Sequence, residues 1–177
     1  MKTGINTGAF LVLVIFLAGC NRKPGTLKQE TKGNASSKEA LIKANRYLVK
    51  SENEDIENYI QRHGWKMKST GSGLRYMIYK EGSGPKAQKG QFAVLNYKLM
   101  LITGDVLYSS DKDGPLIFQI GHGGVESGLE EAILLLRKGD KARLIIPSHL
   151  AHGLLGDQKK IPPRSTVIYD IEVVNLK

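Results

Sequence analysis

The chain has 177 residues, of which 41% are hydrophobic, 7% aromatic and 24% charged. That fits one compact domain with appendages and excludes a disordered chain or a polytopic membrane protein. A single cysteine excludes an internal disulfide framework and a zinc ribbon. The net charge of +9 is spread along the chain without a like-charged block, so it reads as a solvated surface and no nucleic-acid partner is expected.

Residues 1–19 read as an export signal. Lys2 gives a positive start, and Ala9 to Gly19 is unbroken in apolar and small residues. The stretch falls short of the ~20 residues that a spanning helix needs, so it suits a secretory h-region. Leu17-Ala18-Gly19-Cys20 resembles the lipobox of bacterial lipoproteins, with the sole cysteine at its end. The resemblance implies lipidation at Cys20 and an anchor in the cell envelope, with the rest of the chain facing the periplasm. Several acyl chains, at ~0.8 kcal/mol per buried CH₂, hold such an anchor durably.

Residues 20–35 are polar, with Pro24, Gly25 and Gly33, and read as a flexible tether. A helical extension is expected over residues 36–66. Ser36 to Glu39 and Ser51 to Glu54 each fit a capping box. Leu41, Ala44 and Leu48, then Ile56, Tyr59, Ile60 and His63, recur at helical spacing. Gly64 follows as a C-cap. Two short helices or one broken helix are expected. The apolar stripe suits a docking face for client contact, packing on the chain's own domain, or weak pairing into a homodimer.

Over residues 67–177 the pattern changes to short strands with turn signals. Leu74, Tyr76 and Ile78 alternate with Arg75, Met77 and Tyr79. Ala93, Leu95, Tyr97, Leu99 and Leu101 share one face of a strand over 91–102, and Thr103-Gly104-Asp105 turns the chain into Val106-Leu107-Tyr108. Ser127 to Glu130 fits a third capping box, opening a helix of roughly ten residues with Leu129, Ala132, Ile133 and Leu136 inward and Gly139 closing it. Two more alternating strands, around Leu144 and around Ile171, enclose a breaker-rich loop at 147–165. This predicts an α+β fold, an antiparallel half-barrel sheet wrapped around one central helix. The gap between helix and sheet is the expected concave site.

No nucleophile elbow, zincin motif, Walker loop or dinucleotide fingerprint occurs, and no cofactor is expected. His149 and His152 lie three apart without further ligands clustered nearby, with Asp157 the only acid in their loop, so they read as loop histidines and no metal is expected. Gly121 to Gly124 reads as a tight turn. A site without nucleophile, metal or cofactor can still lower the barrier to rotation of an X–Pro amide, ~18–20 kcal/mol. Apolar walls for the proline ring and one or two hydrogen-bond donors suffice.

Residues 74–177 resemble the FK506-binding-protein type of peptidyl-prolyl isomerase. The resemblance rests on Tyr97, Leu107-Tyr108-Ser109-Ser110, Phe118-Gln119-Ile120-Gly121 and Gly128-Leu129-Glu130-Glu131-Ala132. It continues through Lys138-Gly139-Asp140-Lys141-Ala142, Ile146-Pro147, Ala151-His152-Gly153, Ile161-Pro162-Pro163 and Tyr169-Asp170-Ile171-Glu172-Val173. The lipobox, the helical extension and the run from Gly64-Trp65 to Tyr76 resemble one subgroup, the gliding-motility-associated isomerase lipoproteins of Bacteroidetes.

The resemblance implies an FKBP-like fold and a proline pocket. Tyr97, Tyr108, His152 and Tyr169 stand at its catalytic positions, and Leu107, Leu116, Phe118, Val125, Glu126, Leu129 and Ile161 at substrate-binding ones. Leu116, Leu107 and Leu129 stand in for family aromatics. Glu126 takes the place of an apolar residue whose backbone N–H binds the ligand carbonyl. Tyr108 occupies a position where most members carry an Asp, and His152 one where they carry a Tyr that donates its hydroxyl. The expected activity is isomerisation of proline-containing segments of envelope client proteins. The alternative is a non-catalytic peptide-binding subunit of a motility or secretion apparatus.

Overall fold

The computed structural model describes residues 32–177. The export signal, the lipobox with Cys20 and the tether up to residue 31 lie outside the described residues. The chain enters through α1 (Lys32–His63), a single unbroken helix of 32 residues in place of the two short helices or one broken helix expected. Neither Gly nor Pro interrupts residues 34–63, so nothing breaks the backbone ladder at Ser51. Both expected capping boxes therefore lie inside the helix. Gly64, at φ +63°, ends it: its N–H donates to the Gln61 carbonyl and that of Trp65 to the Ile60 carbonyl, the paired bonds of a left-handed cap.

There follow β1 (Lys68–Ser69), β2 (Arg75–Lys80), β3 (Phe92–Leu101), β4 (Val106–Ser109), α2 (Ser110–Asp113), β5 (Leu116–Gln119), α3 (Ser127–Ile133), β6 (Lys141–Ile146) and β7 (Val167–Leu176). The sheet runs β1-β2-β6-β7-β3 and ends on β4 and β5, with every pairing antiparallel. β5 pairs with the first half of β3 and β4 with the second half. The two are one edge strand, interrupted by the α2 turn. The five strands expected from the sequence all form; β1 and β5 are additional.

α3 spans seven residues, shorter than expected. The Leu135 and Leu136 N–H groups bond three residues back, to Ala132 and Ile133, so the chain tightens after Ile133, and Gly139 lies in the turn leading to β6. The third capping box is not made either. Glu126 is the N-cap residue, Ser127 Oγ donates to the Leu150 carbonyl, and Glu130 accepts from the Gly121 and Gly123 N–H groups at 2.7 and 3.1 Å. That carboxylate holds Gly121 to Gly124 as the tight turn expected. Gly128 lets α3 approach the sheet closely, since a Cβ there would lie 2.4 Å from Ile146 Cγ2.

Strand alternation sorts two cores. Leu95, Leu144, Ile146, Ile171 and Val173 face α3 and close over Leu129, Ile133 and Leu136. Ile145 and Ile168 point the other way and pack on Ile56 and Tyr59 of α1. The second face of the sheet is thus partly covered by the helical extension. Glu52 pins it there, accepting from Ser148 N–H (2.6 Å), Ser148 Oγ (3.0 Å) and Thr166 Oγ1 (2.7 Å). Arg75, itself buried, bonds Glu57 at 2.9 Å and Asn53 at 2.5 Å. Residues 37–50 of α1 are exposed throughout. No helix among the described residues is long and apolar enough to cross a membrane.

Candidate active site

A cavity of about 540 Å³ opens between the sheet, the segment leading into α3 and the loop after β6. β3 contributes Tyr97 and Leu99, β4 Tyr108, β5 Leu116 and β7 Tyr169. The approach to α3 contributes Gly124, Val125 and Glu126, and the loop after β6 contributes Ala151, His152, Asp157, Lys159 and Ile161. Eight of the residues proposed from the sequence therefore meet here: Tyr97, Tyr108, Leu116, Val125, Glu126, His152, Ile161 and Tyr169. The other three lie elsewhere. Phe118 and Leu129 are buried in the core, and Leu107 is half-buried against it. Strand alternation explains Phe118, which faces inward opposite Ala93.

The floor is aromatic. The Tyr97 and Tyr169 rings lie 6.2 Å apart, inclined at 46°. Tyr169 is 3% exposed, and its hydroxyl donates to Glu126 Oε1 at 2.9 Å. Burial, then the Glu126 carboxylate, pushes its pKa well above that of an ordinary phenol. Burial, then Asp113 and Glu126, raises that of Tyr97. Both rings are neutral at any physiological pH.

One carboxylate organises the inner rim. Glu126 Oε1 receives His152 Nε2 at 2.8 Å as well as the Tyr169 hydroxyl, and the Glu126 side chain is only 10% exposed. His152 is thus fastened to the wall by Nε2, leaving Nδ1 for other partners. His149 turns away to the Ser72 carbonyl at 3.0 Å, so the two histidines share no ligand position. The Glu126 backbone N–H has no acceptor among the described residues and remains a donor beside the cavity.

A second pair closes the outer rim. The Tyr108 hydroxyl donates to Asp157 Oδ2 at 2.5 Å. The Asp157 carboxylate also accepts from the backbone N–H groups of Lys159 (2.9 Å) and Ile161 (2.7 Å). Burial raises the Asp157 pKa, but the hydrogen bonds from Tyr108 and these amides outweigh it and bring it down to about 2. The Asp157 hydrogen bond, then burial, raises Tyr108 to about 12. Lys160 Nζ lies 4.5 Å over the Tyr108 ring and donates to the Leu107 carbonyl at 3.0 Å. Gly156 permits the loop's path: at φ +67°, a Cβ would fall 2.1 Å from the Ile161 carbonyl oxygen. Among the residues that sequence reasoning missed, Leu99 carried a signal, two residues beyond Tyr97 on the same strand face. Asp157 carried another, as the only acid in its loop.

An aromatic-floored slot with apolar walls and one free backbone N–H beside it suits binding and desolvation of a compact ring. On a half-barrel around one short helix, that is the class of the proline-binding folds. The chain belongs to the FKBP-type peptidyl-prolyl cis-trans isomerase family, whose model matches residues 84–174. It is 34% identical over 131 residues to a probable FKBP-type peptidyl-prolyl cis-trans isomerase, FkpA, of Neisseria meningitidis serogroup B, covering 72% of this chain and 47% of that protein. FK506-binding protein 2 of Yarrowia lipolytica is 38% identical over 105 residues, 59% of this chain and 73% of that protein. The crystal structure of FkpA from Escherichia coli superposes with a TM-score of 0.63 at 31% identity, over 85% of this chain and 73% of that one. The chain spans about half the length of the first curated relatives it matches.

Proposed function

We propose that the chain catalyses cis-trans isomerisation of X–Pro bonds in client proteins of the cell envelope. One observation carries this reading: the Tyr97–Tyr169 floor lies beside the unpaired N–H of Glu126. The proline ring stacks on the aromatics, with Val125 and Ile161 as apolar walls. The Glu126 N–H binds a substrate carbonyl and holds the chain while the amide twists. Removing water weakens the resonance-stabilised planar ground state relative to the twisted amide, and no group is transferred. Lipidation at Cys20 is supported by the Leu17 to Cys20 lipobox and by the absence of any other cysteine. Within that reading, the chain is an envelope lipoprotein facing the periplasm, of the gliding-motility-associated kind found in Bacteroidetes.

A second reading, a peptide clamp without turnover, is favoured by one specific feature. Tyr108 and His152 Nε2 are both committed to carboxylates, so neither of these groups is a free donor at the rim. Acceleration of cis-to-trans relaxation in a short X–Pro peptide by the mature chain separates the two. A rate that rises linearly with protein concentration supports the isomerase. Saturable binding of the same peptide with no acceleration selects the clamp.

A further inference from the structure

The concave surface continues past the proline pocket. His152 and Asp157 belong to the pocket wall and also to a shallow cavity of about 760 Å³ on the outer side of their loop, where Leu154 and Leu155 are the apolar lining. Leu154 in turn belongs to a third hollow of about 680 Å³, between α1 and the domain, with Leu48, Val49, Leu101 and Ile102. Each hollow adjoins the next through shared lining residues, His152 and Asp157 in one case and Leu154 in the other, so the three follow one another as a track from the pocket to the helix. Exposed aliphatic side chains recur along it, among polar ones: Leu154 and Leu155 are each 70% exposed, Val49 56% and Leu48 38%. Contiguous exposed apolar side chains mark binding surfaces rather than chance. The hollow is held open by construction, because Glu52 fastens α1 to Ser148 and Thr166 beside it.

We propose that this track is a second subsite for the client. An unfolded, apolar stretch of the same chain whose proline fills the pocket lies over Leu155 and Leu154 and enters the groove at Leu48 and Val49. The proposal rests on the isomerase reading for the occupant of the pocket. Continuity selects the occupant of the groove. A second copy paired along α1 would cover Leu48 and Val49 but leave unexplained the two exposed leucines beside the pocket rim. A chain running out of the pocket covers all four. The chemistry recognised is aliphatic and extended, so short prolyl peptides reach only the pocket.

The test compares the full mature chain with the triple variant Leu48→Ser/Val49→Ser/Leu154→Ser, whose changed side chains are solvent-facing. Two probes are used: an X–Pro tetrapeptide, read as kcat/KM, and a reduced, carboxymethylated protein that cannot fold, read as Kd. The variant is expected to keep its tetrapeptide kcat/KM and its circular dichroism, while its Kd for the unfolded chain weakens roughly tenfold or more. In the wild type, a proline-free aliphatic peptide should compete with the unfolded chain but not with the tetrapeptide. An unchanged Kd in a folded variant overturns the proposal. So does a dimer that becomes monomeric on substitution, which gives the groove to a second copy. A wild type inert on the tetrapeptide defeats the isomerase reading instead, and the Kd comparison still decides the groove.

Discussion

Glu126→Ala tests whether one carboxylate holds the inner rim together. In the wild type, Oε1 accepts both the Tyr169 hydroxyl and His152 Nε2. The substitution leaves a nearly fully buried hydroxyl without its partner, which costs about 1–3 kcal/mol, and removes the histidine bond, worth about 1 kcal/mol more. Helix capping does not enter, because the Glu126 side chain makes no cap bond to α3. The expected loss is therefore about 2–4 kcal/mol, or a fall in Tm of about 6–12 °C for a chain of this size. Tyr169→Phe removes the hydroxyl that would be stranded, so in that background Glu126→Ala should cost only about 1 kcal/mol. Urea unfolding of the wild type, both single variants and the double variant reads the coupling directly, at about 1–3 kcal/mol. Activity gives an independent reading. The backbone N–H survives the substitution, so kcat/KM on a prolyl peptide should fall only two- to tenfold, through the loosened His152. Additive stabilities within about 0.5 kcal/mol would refute the shared-acceptor account. A kcat/KM falling a thousandfold would refute the assignment of the carbonyl donor to the backbone.

Three further outcomes follow from the same geometry. Tyr97→Ala should weaken binding of an X–Pro peptide at least tenfold by calorimetry in a folded variant, since truncating a buried aromatic anchor typically costs about 2 kcal/mol or more; unchanged affinity would move the ring's site. Asp157 has a folded pKa of about 2, below the 3.8 of an ordinary aspartate, so its contribution is complete above about pH 4 and lost as pH falls towards 2. Amide exchange of residues 154–161 should therefore accelerate selectively across that window, and Asp157→Asn should remove the pH dependence. Cys20→Ser should leave an unprocessed or soluble protein, and an unmodified Cys20 found by mass spectrometry in the membrane fraction of the wild type would refute lipidation.

The scaffold was more legible in the sequence than the site because strands and sites write different signals. Alternation exposed β2, β3, β4, β6 and β7, and the pattern from Ala93 to Leu101 alone aligned Tyr97 with the core face. β5 has four residues and follows Gly114 and Pro115, without a short turn such as Thr103-Gly104-Asp105 to join it to a longer strand, as β4 is joined to β3. The capping boxes misled for a physical reason. A Ser-x-x-Glu pattern reports a local preference, and at Ser51 and Ser127 tertiary partners outweigh it: a docked helix face in one case, the Leu150 carbonyl and the glycine turn in the other. Contacts between distant loop and strand residues leave no periodicity at all. Tyr108 and Asp157 are 49 apart in sequence, and only the fold brings them together.

The rim residues Tyr108 and His152 are members of two stapled pairs, Tyr108–Asp157 and His152–Glu126. Tyr108 on β4 is a phenol long enough to reach a carboxylate on the facing loop, that of Asp157, which carries the negative charge at the rim. His152 is held by the Glu126 carboxylate. Each pair ties the loop after β6 to a different rigid element: β4 in one case, the N-terminal end of α3 in the other. Bond rotation transfers nothing. It needs a dry slot of fixed shape and a carbonyl held in place, and both are strengthened when the loop forming one wall is fastened at two points and the donor is a backbone N–H that no side-chain substitution removes.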